Sequence, residues 1–262
     1  MIATPPARVL IVTISVTLVG CNCGKTNPSF PLTVGEARAE LAAISDDPMP
    51  LERPLVCITG WLDLGAKKTL DKHFARAIDD DRLLVIRVDD TSTMQSARER
   101  VMDAAMQRFP SDDPRWTTEV DVIGFSMGGL VARSCGDPAT GDRHLRIVRL
   151  FTVSAPHLGA TMAGGAVFSA QSRDMIPGSK FLTYLNNEVE IDYELVPYTR
   201  LCDTVVNEKN TAPPGYTPWW VSTLAFQDSH VDAIGDPRIL TDITLRLRGE
   251  TPATISPPTP LP

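Results

Sequence analysis

Apolar residues in this chain gather into short continuous runs instead of alternating with polar ones. Runs at 56–59, 83–88, 120–125, 147–153, 198–202 and 219–223 read as strands, because a strand covered on both faces has no polar side to present. Between them the spacing turns helical. The clearest case is 92–108, where Ala97, Val101, Ala104, Ala105 and Arg108 share a face of mostly small residues suited to lying on a sheet, and Ser92 with Gln95 has capping-box spacing. Strand, helix and strand in repetition predict an α/β domain with a mostly parallel, doubly wound sheet. No internal repeat is visible.

A length of 262 residues with 43% hydrophobic content predicts one domain of ordinary size, over 54–248, with a core to match. The net charge of −7 argues against nucleic acid as a partner, since phosphate binding needs a basic face. No nucleotide or metal motif occurs, so no cofactor is expected. Cys57, Cys135 and Cys202 fall in predicted strands or helix, away from ligand spacing, and read as small core residues.

The ends differ from the middle. Residues 1–20 carry Arg8, then an apolar stretch from Val9 to Val19 that falls short of the roughly 20 residues needed to span a bilayer. It reads as a signal peptide. Leu18-Val19-Gly20-Cys21 resembles the lipobox of bacterial lipoproteins, which implies lipidation of Cys21 and a membrane-anchored place in the cell envelope. An ordinary secretory signal beside a free cysteine is the alternative. Residues 21–53 read as a tether and N-terminal strap, with a helix from Thr33 to Ile44 that Thr33 and Glu36 would cap. The proline- and threonine-rich stretch 249–262 has little to bury and is expected to be disordered.

The chemistry centres on Gly124-Phe125-Ser126-Met127-Gly128, which lies between a β-branched run and a helical segment. That order sets Ser126 on a sharp turn above the sheet edge with a helix N-terminus behind it, the position of a nucleophile. A serine hydroxyl is a poor nucleophile near neutral pH and requires a histidine base, an acid that orients the histidine, and donors for an oxyanion. Downstream stand only His144, His157 and His230. His230, in a polar loop after a strand, is the best base. His144 lies at the entry of a strand, on the wrong side, and reads as a solvated surface residue. His157 is on the right side but sits between Pro156 and Gly159 in a rigid turn. Asp203, which closes the strand 198–202 between Ser126 and His230, is the expected acid, with Asp228 as its rival. Oxyanion donors are expected from the backbone N–H of Met127 and of Trp61 or Leu62, in the loop after Gly60.

With these residues in place the chain resembles the α/β-hydrolase superfamily, and within it the bacterial and GPI-inositol-deacylase-like lipases. The likeness rests on 124–133, on Ser154-Ala155-Pro156-His157-Leu158-Gly159, which is similar to a Thr-Pro-His-x-Gly element, and on the ordered Asp203 and His230, across about 54–248. Thr59 and Phe125 stand where that family often has histidine. The resemblance implies the α/β-hydrolase fold, a structural role for His157, and an ester-cleaving serine hydrolase of lipase or carboxylesterase type. Its substrate would be a small-molecule or lipid ester. An acyltransferase or thioesterase would use the same groups, and an inactive hydrolase-like envelope-binding lipoprotein is a further class that the intact Ser126, Asp203 and His230 argue against.

The insertion 158–195 is expected to form a helical cap over Ser126, because connections in compact domains are usually about 4–6 residues. Gly164, Gly165 and Gly178 would serve as hinges. Met162, Val167, Phe168, Met175, Phe181, Leu182, Tyr184 and Leu185 would supply apolar surface for an acyl chain. The competing reading is a pair of ordinary helices with those side chains on the core.

Overall fold

The computed structural model describes residues 22–60, 65–78, 81–161 and 169–262. The leader 1–20, Cys21, Trp61 and Leu62, and the cap candidates Met162, Gly164, Gly165, Val167 and Phe168 lie outside them. The strands are β1 (Leu55–Ile58), β2 (Leu83–Ile86), β3 (Trp116–Phe125), β4 (His144–Val153), β5 (Glu194–Arg200) and β6 (Trp219–Val221). They form one parallel sheet in the order β2-β1-β3-β4-β5-β6. All six expected runs are strands. β5 begins earlier than its apolar run at 198–202, because Pro197, a residue that removes a ladder donor, masked Leu195 and Val196 in the sequence pattern.

The helices are α1 (Val34–Asp46), α2 (Ala66–Ala77), α3 (Met94–Arg108), α4 (Met127–Gly136), α5 (Ala170–Asp174), α6 (Lys180–Asn187) and α7 (Pro237–Leu247). They cover both faces, and β1 shows why its sequence is continuously apolar. Val56 and Ile58 enter a core shared with Val101, Met102 and Leu130 of α3 and α4. Leu55 and Cys57 enter the opposite core, with Phe74 of α2 and Ile239 and Ile243 of α7. The cap of α3 is one residue later than expected: the Thr93 hydroxyl accepts from Ser96 N at 3.0 Å, while the Gln95 side chain turns outward to Glu99. Arg108 is also off the buried face, which holds Met94, Arg98 and Met102 instead. α1 carries the expected box between Thr33 and Glu36, and Thr241 of α7 donates to the Ala37 carbonyl at 3.2 Å.

Three expectations give way here. Cys202 is not a core thiol but is bonded to Cys23; with a sequence separation of 179 between the two, spacing gives no hint of the pair. The start of the tether is therefore fixed to the fold, where Asn27 Nδ2 also donates to the Trp220 carbonyl at 2.7 Å. The tail 249–262 is not loose. It has few apolar groups to bury, yet Trp220 Nε1 donates to the Thr259 carbonyl at 2.8 Å and Thr254 N to Asp242 Oδ1 at 2.8 Å. Finally, in the described part of the insertion Met175, Leu182 and Leu185 are buried in the core beside α3 and α4, with Phe181 and Tyr184 packed against them. Their apolar surface faces the domain, not an acyl chain.

Candidate active site

The sheet order reverses between β1 and β3, the kind of point at which open α/β sheets bind their ligands. Ser126 stands at that point. It follows β3 with φ 52 and ψ −127 and precedes the first residue of α4, a backbone conformation that the surroundings must impose on a non-glycine residue. Close packing does so. A Cβ on Gly128 would lie 2.2 Å from the Ile58 carbonyl oxygen, and one on Gly124 would lie 2.4 Å from Gly129 Cα. Only glycine lets α4 start this near to β1 and β3. Ser126 N donates to the Val153 carbonyl at 2.9 Å, which pins the turn to β4.

Three expected residues converge. Ser126 Oγ is 3.0 Å from His230 Nε2, and His230 Nδ1 is 2.8 Å from Asp203 Oδ2. Asp203 follows the end of β5, and its other oxygen accepts the N–H groups of Val205 at 3.0 Å and Val206 at 2.9 Å. Burial pushes the Asp203 carboxyl up, but the hydrogen bond and charge of His230 and the two backbone donors outweigh it, so its pKa lies below the ordinary carboxylate value. Asp203 is an anion at neutral pH and faces the ring it orients.

Asp228 takes a different part. Its Oδ1 accepts from His230 N at 2.8 Å and Val231 N at 2.7 Å, so it shapes the loop and leaves the imidazole to Asp203. Sequence reasoning missed two supports of that loop. The fully buried Arg200 donates to the Asp228 carbonyl at 3.1 Å and to Gln227 Oε1; a charged residue inside a strand was its visible signal. The Phe125 ring, next to Ser126 in the chain, lies 5.5 Å from that of His230.

The other two histidines lie apart from this set. His157 is wholly buried, with Nδ1 3.3 Å from Arg133 Nη1 and Nε2 3.1 Å from Thr152 Oγ1. Burial and the Arg133 charge hold its pKa well below the usual value. His144 does start β4, far from Ser126, but it is buried and not solvated, its ring 4.8 Å from Trp116. The Met127 N–H is the first of α4 and has no intrahelical partner by geometry. Gly60 borders the serine so closely that a Cβ there would be 2.8 Å from Ser126 Cβ.

No family model matches this chain, and no curated protein matches it. Solved structures do. The mature form of the lipase BlEst2 of Bacillus licheniformis is similar with 14% identity and TM-score 0.51 over 80% of this chain and 95% of that one. Its propeptide form gives 14% identity and TM-score 0.56 over 82% of this chain and 54% of that one. The phospholipase PlaB of Legionella pneumophila gives 15% identity and TM-score 0.46 over 63% of this chain, which spans only 44% of PlaB. At such identities the likeness speaks for architecture, and with the parallel sheet and its flanking helices it shows that this chain has the α/β-hydrolase fold.

Proposed function

We propose that the protein is a serine hydrolase of carboxylic esters, of lipase or carboxylesterase type. The observation that carries this is the continuous relay from Ser126 Oγ through His230 to Asp203, at 3.0 and 2.8 Å. His230 Nε2 takes the Ser126 proton as Oγ attacks the ester carbonyl, and Asp203 holds the ring in the tautomer that allows it and stabilises the imidazolium. The oxyanion of the tetrahedral intermediate is met by the Met127 N–H, aided by the positive end of α4, and Trp61, outside the described residues, is the expected second donor. His230 then returns the proton to the departing alcohol. Water, deprotonated by His230 in turn, releases the acid from the acyl-enzyme. Fold likeness to a protein named as a lipase agrees with this reading.

Cys21 would be acylated and hold the protein at the envelope membrane. The disulfide between Cys23 and Cys202 supports export, because such bonds persist in oxidising compartments.

A fluorophosphonate probe followed by a panel of esters of graded acyl length tests the activity. Labelling is expected on Ser126 alone and lost in Ser126→Ala, with kcat lowered by roughly 10⁴-fold or more in Ser126→Ala and His230→Ala. A folded protein that neither labels nor cleaves any ester would end the hydrolase reading. Transfer of the acyl group to an added alcohol in preference to water would make it an acyltransferase.

A further inference from the structure

The described chain starts at the catalytic edge of the sheet. Cys23 is bonded to Cys202, the residue before Asp203, and its carbonyl accepts from Thr223 N at 2.9 Å, just past the end of β6. Residue 22 is thereby held at the carboxyl ends of β5 and β6. A residue of chain spans at most about 3.6 Å, so Cys21 lies within about 7 Å of Cys23 whatever its conformation. A lipoprotein on a long flexible tether can turn any face to its membrane. This one has no such freedom, because the disulfide fixes the anchor point beside the triad acid.

The surface on that edge suits a lipid. Phe226 is the most exposed large apolar residue among those described, wholly solvent-accessible at 108%. It sits in the loop between β6 and His230, with its backbone in the left-handed region at φ 64. Leu158, after the Ala155-Pro156-His157 turn, is also exposed. At the start of α2, Gly65 borders a cleft shared with Gln227 and Val231 of the His230 loop and with Asp232 and Asp236 after them. It also borders a shallow hollow lined by Lys67, Lys68, Lys72 and Arg87, with Asp71 as its acidic member. Lys67 pairs with Asp71 and Arg87 with Asp89, while Lys68 and Lys72 are exposed. In a chain of net charge −7, the exposed Lys68 and Lys72 set positive charge at the rim of the site, beside the carboxylate of Asp232.

We infer that the protein lies with its catalytic edge against the membrane that holds its anchor, and that its substrate is a phospholipid ester of that same leaflet. The inference rests on the serine-hydrolase reading and on an anchor at Cys21. Phe226 and Leu158 enter the interface, and the lysines face anionic headgroups. The ester then reaches Ser126 by lateral movement, without crossing water.

The test uses the full-length lipidated protein in vesicles of mixed neutral and anionic phospholipid, combined with enzyme-free vesicles that carry a second fluorescent phospholipid. Hydrolysis in the host vesicles is expected to be roughly a hundredfold faster than in the enzyme-free ones, as tethering sets a high local concentration. Phe226→Asp and Lys68→Glu should each lower host-vesicle hydrolysis by about tenfold while turnover of a soluble short-chain ester stays unchanged. Equal hydrolysis of both populations, or no response to either variant, would overturn the inference. Turnover of the soluble ester with intact host lipid would overturn it while leaving the hydrolase reading in place. Loss of both activities in the unmodified protein would instead remove the hydrolase reading itself.

Discussion

Cys23 is bonded to Cys202, and Cys202 is followed directly by Asp203, so one covalent link ties the N-terminal segment to the acid of the relay. The loop after β5 is otherwise held by the two N–H groups that Asp203 accepts and by Thr223 Oγ1, which donates to the Leu201 carbonyl. Cutting the link is expected to cost about 2–5 kcal/mol through the freed unfolded chain and to loosen the 2.8 Å contact between Asp203 and His230. Cys23→Ala, which touches no group of the relay, should therefore lower kcat more than it changes KM, and gentle reduction of the wild type should do the same. Unchanged kcat in the reduced, folded protein would show that the loop holds itself.

Gly60 gives a sharper probe of the serine. A methyl group there would lie 2.8 Å from Ser126 Cβ and 3.3 Å from Oγ, so Gly60→Ala must move Ser126 or the loop. Displacements of this size cost up to about 10²-fold in rate, and kcat and fluorophosphonate labelling should fall together with only a small change in melting temperature. Gly128→Ala is expected to behave otherwise. Its Cβ would meet the Ile58 backbone oxygen at 2.2 Å, a contact no side-chain movement relieves, and the fold should suffer before the rate does.

The sheet was legible in the sequence because its strands are apolar on both faces, as Leu55-Val56-Cys57-Ile58 shows by feeding two cores in turn. Ser126 was legible because two glycines and a strand-to-helix change mark a turn that few other sites need. Asp203 and His230 followed from their order and their places at strand ends. What stayed hidden are relationships between distant segments. Arg200 supports the His230 loop from within a strand, Cys23 reaches Cys202, and the tail finds Trp220. None of these leaves a period or a spacing, since each depends on where the folded sheet brings its ends. Phe181 and Leu182 were misjudged for a related reason: an apolar helical face looks the same whether it meets a ligand or the core.

Acid should weaken the fold well before it reaches the carboxylates. Burial lowers the pKa of His73 to about 4; burial together with Arg98 lowers that of His144, and burial together with Arg133 holds that of His157 well below its usual value. These rings are neutral in the native state yet take a proton near pH 6.5 when unfolded. The unfolded chain thus binds more protons below that pH. Stability is expected to be level above about pH 6.5 and to fall beneath it by up to about 1.4 kcal/mol per pH unit for each histidine. Asp203 acts later and in the same direction: its depressed pKa contributes stability that is complete above about pH 4 and lost as pH drops through the native value. Urea unfolding between pH 7 and pH 5 should show the histidine slope, reduced in His157→Gln. A flat profile over that range would refute it.

The edge of the sheet at β6 depends on the chain's own tail. An open edge strand presents unpaired backbone groups that invite association, and here Trp220 lies under residues from both ends of the chain. Its Nε1 donates to the Thr259 carbonyl at 2.8 Å, Thr259 N donates to Ser29 Oγ at 2.7 Å, and Ile255 N donates to the Ser29 carbonyl at 2.7 Å. Thr254 also satisfies one oxygen of the buried Asp242, whose other oxygen accepts from the Tyr198 hydroxyl at 2.6 Å. Removing residues 251–262 would uncover the tryptophan and leave part of a buried carboxylate without its donors, at a cost of about 2–4 kcal/mol. The truncated protein should melt earlier and aggregate on warming, yet keep its turnover per folded molecule, because no group of the relay is touched. In the full-length chain the tail should resist limited proteolysis. Rapid trimming of the tail with an unaltered melting temperature would show that it contributes nothing to the fold.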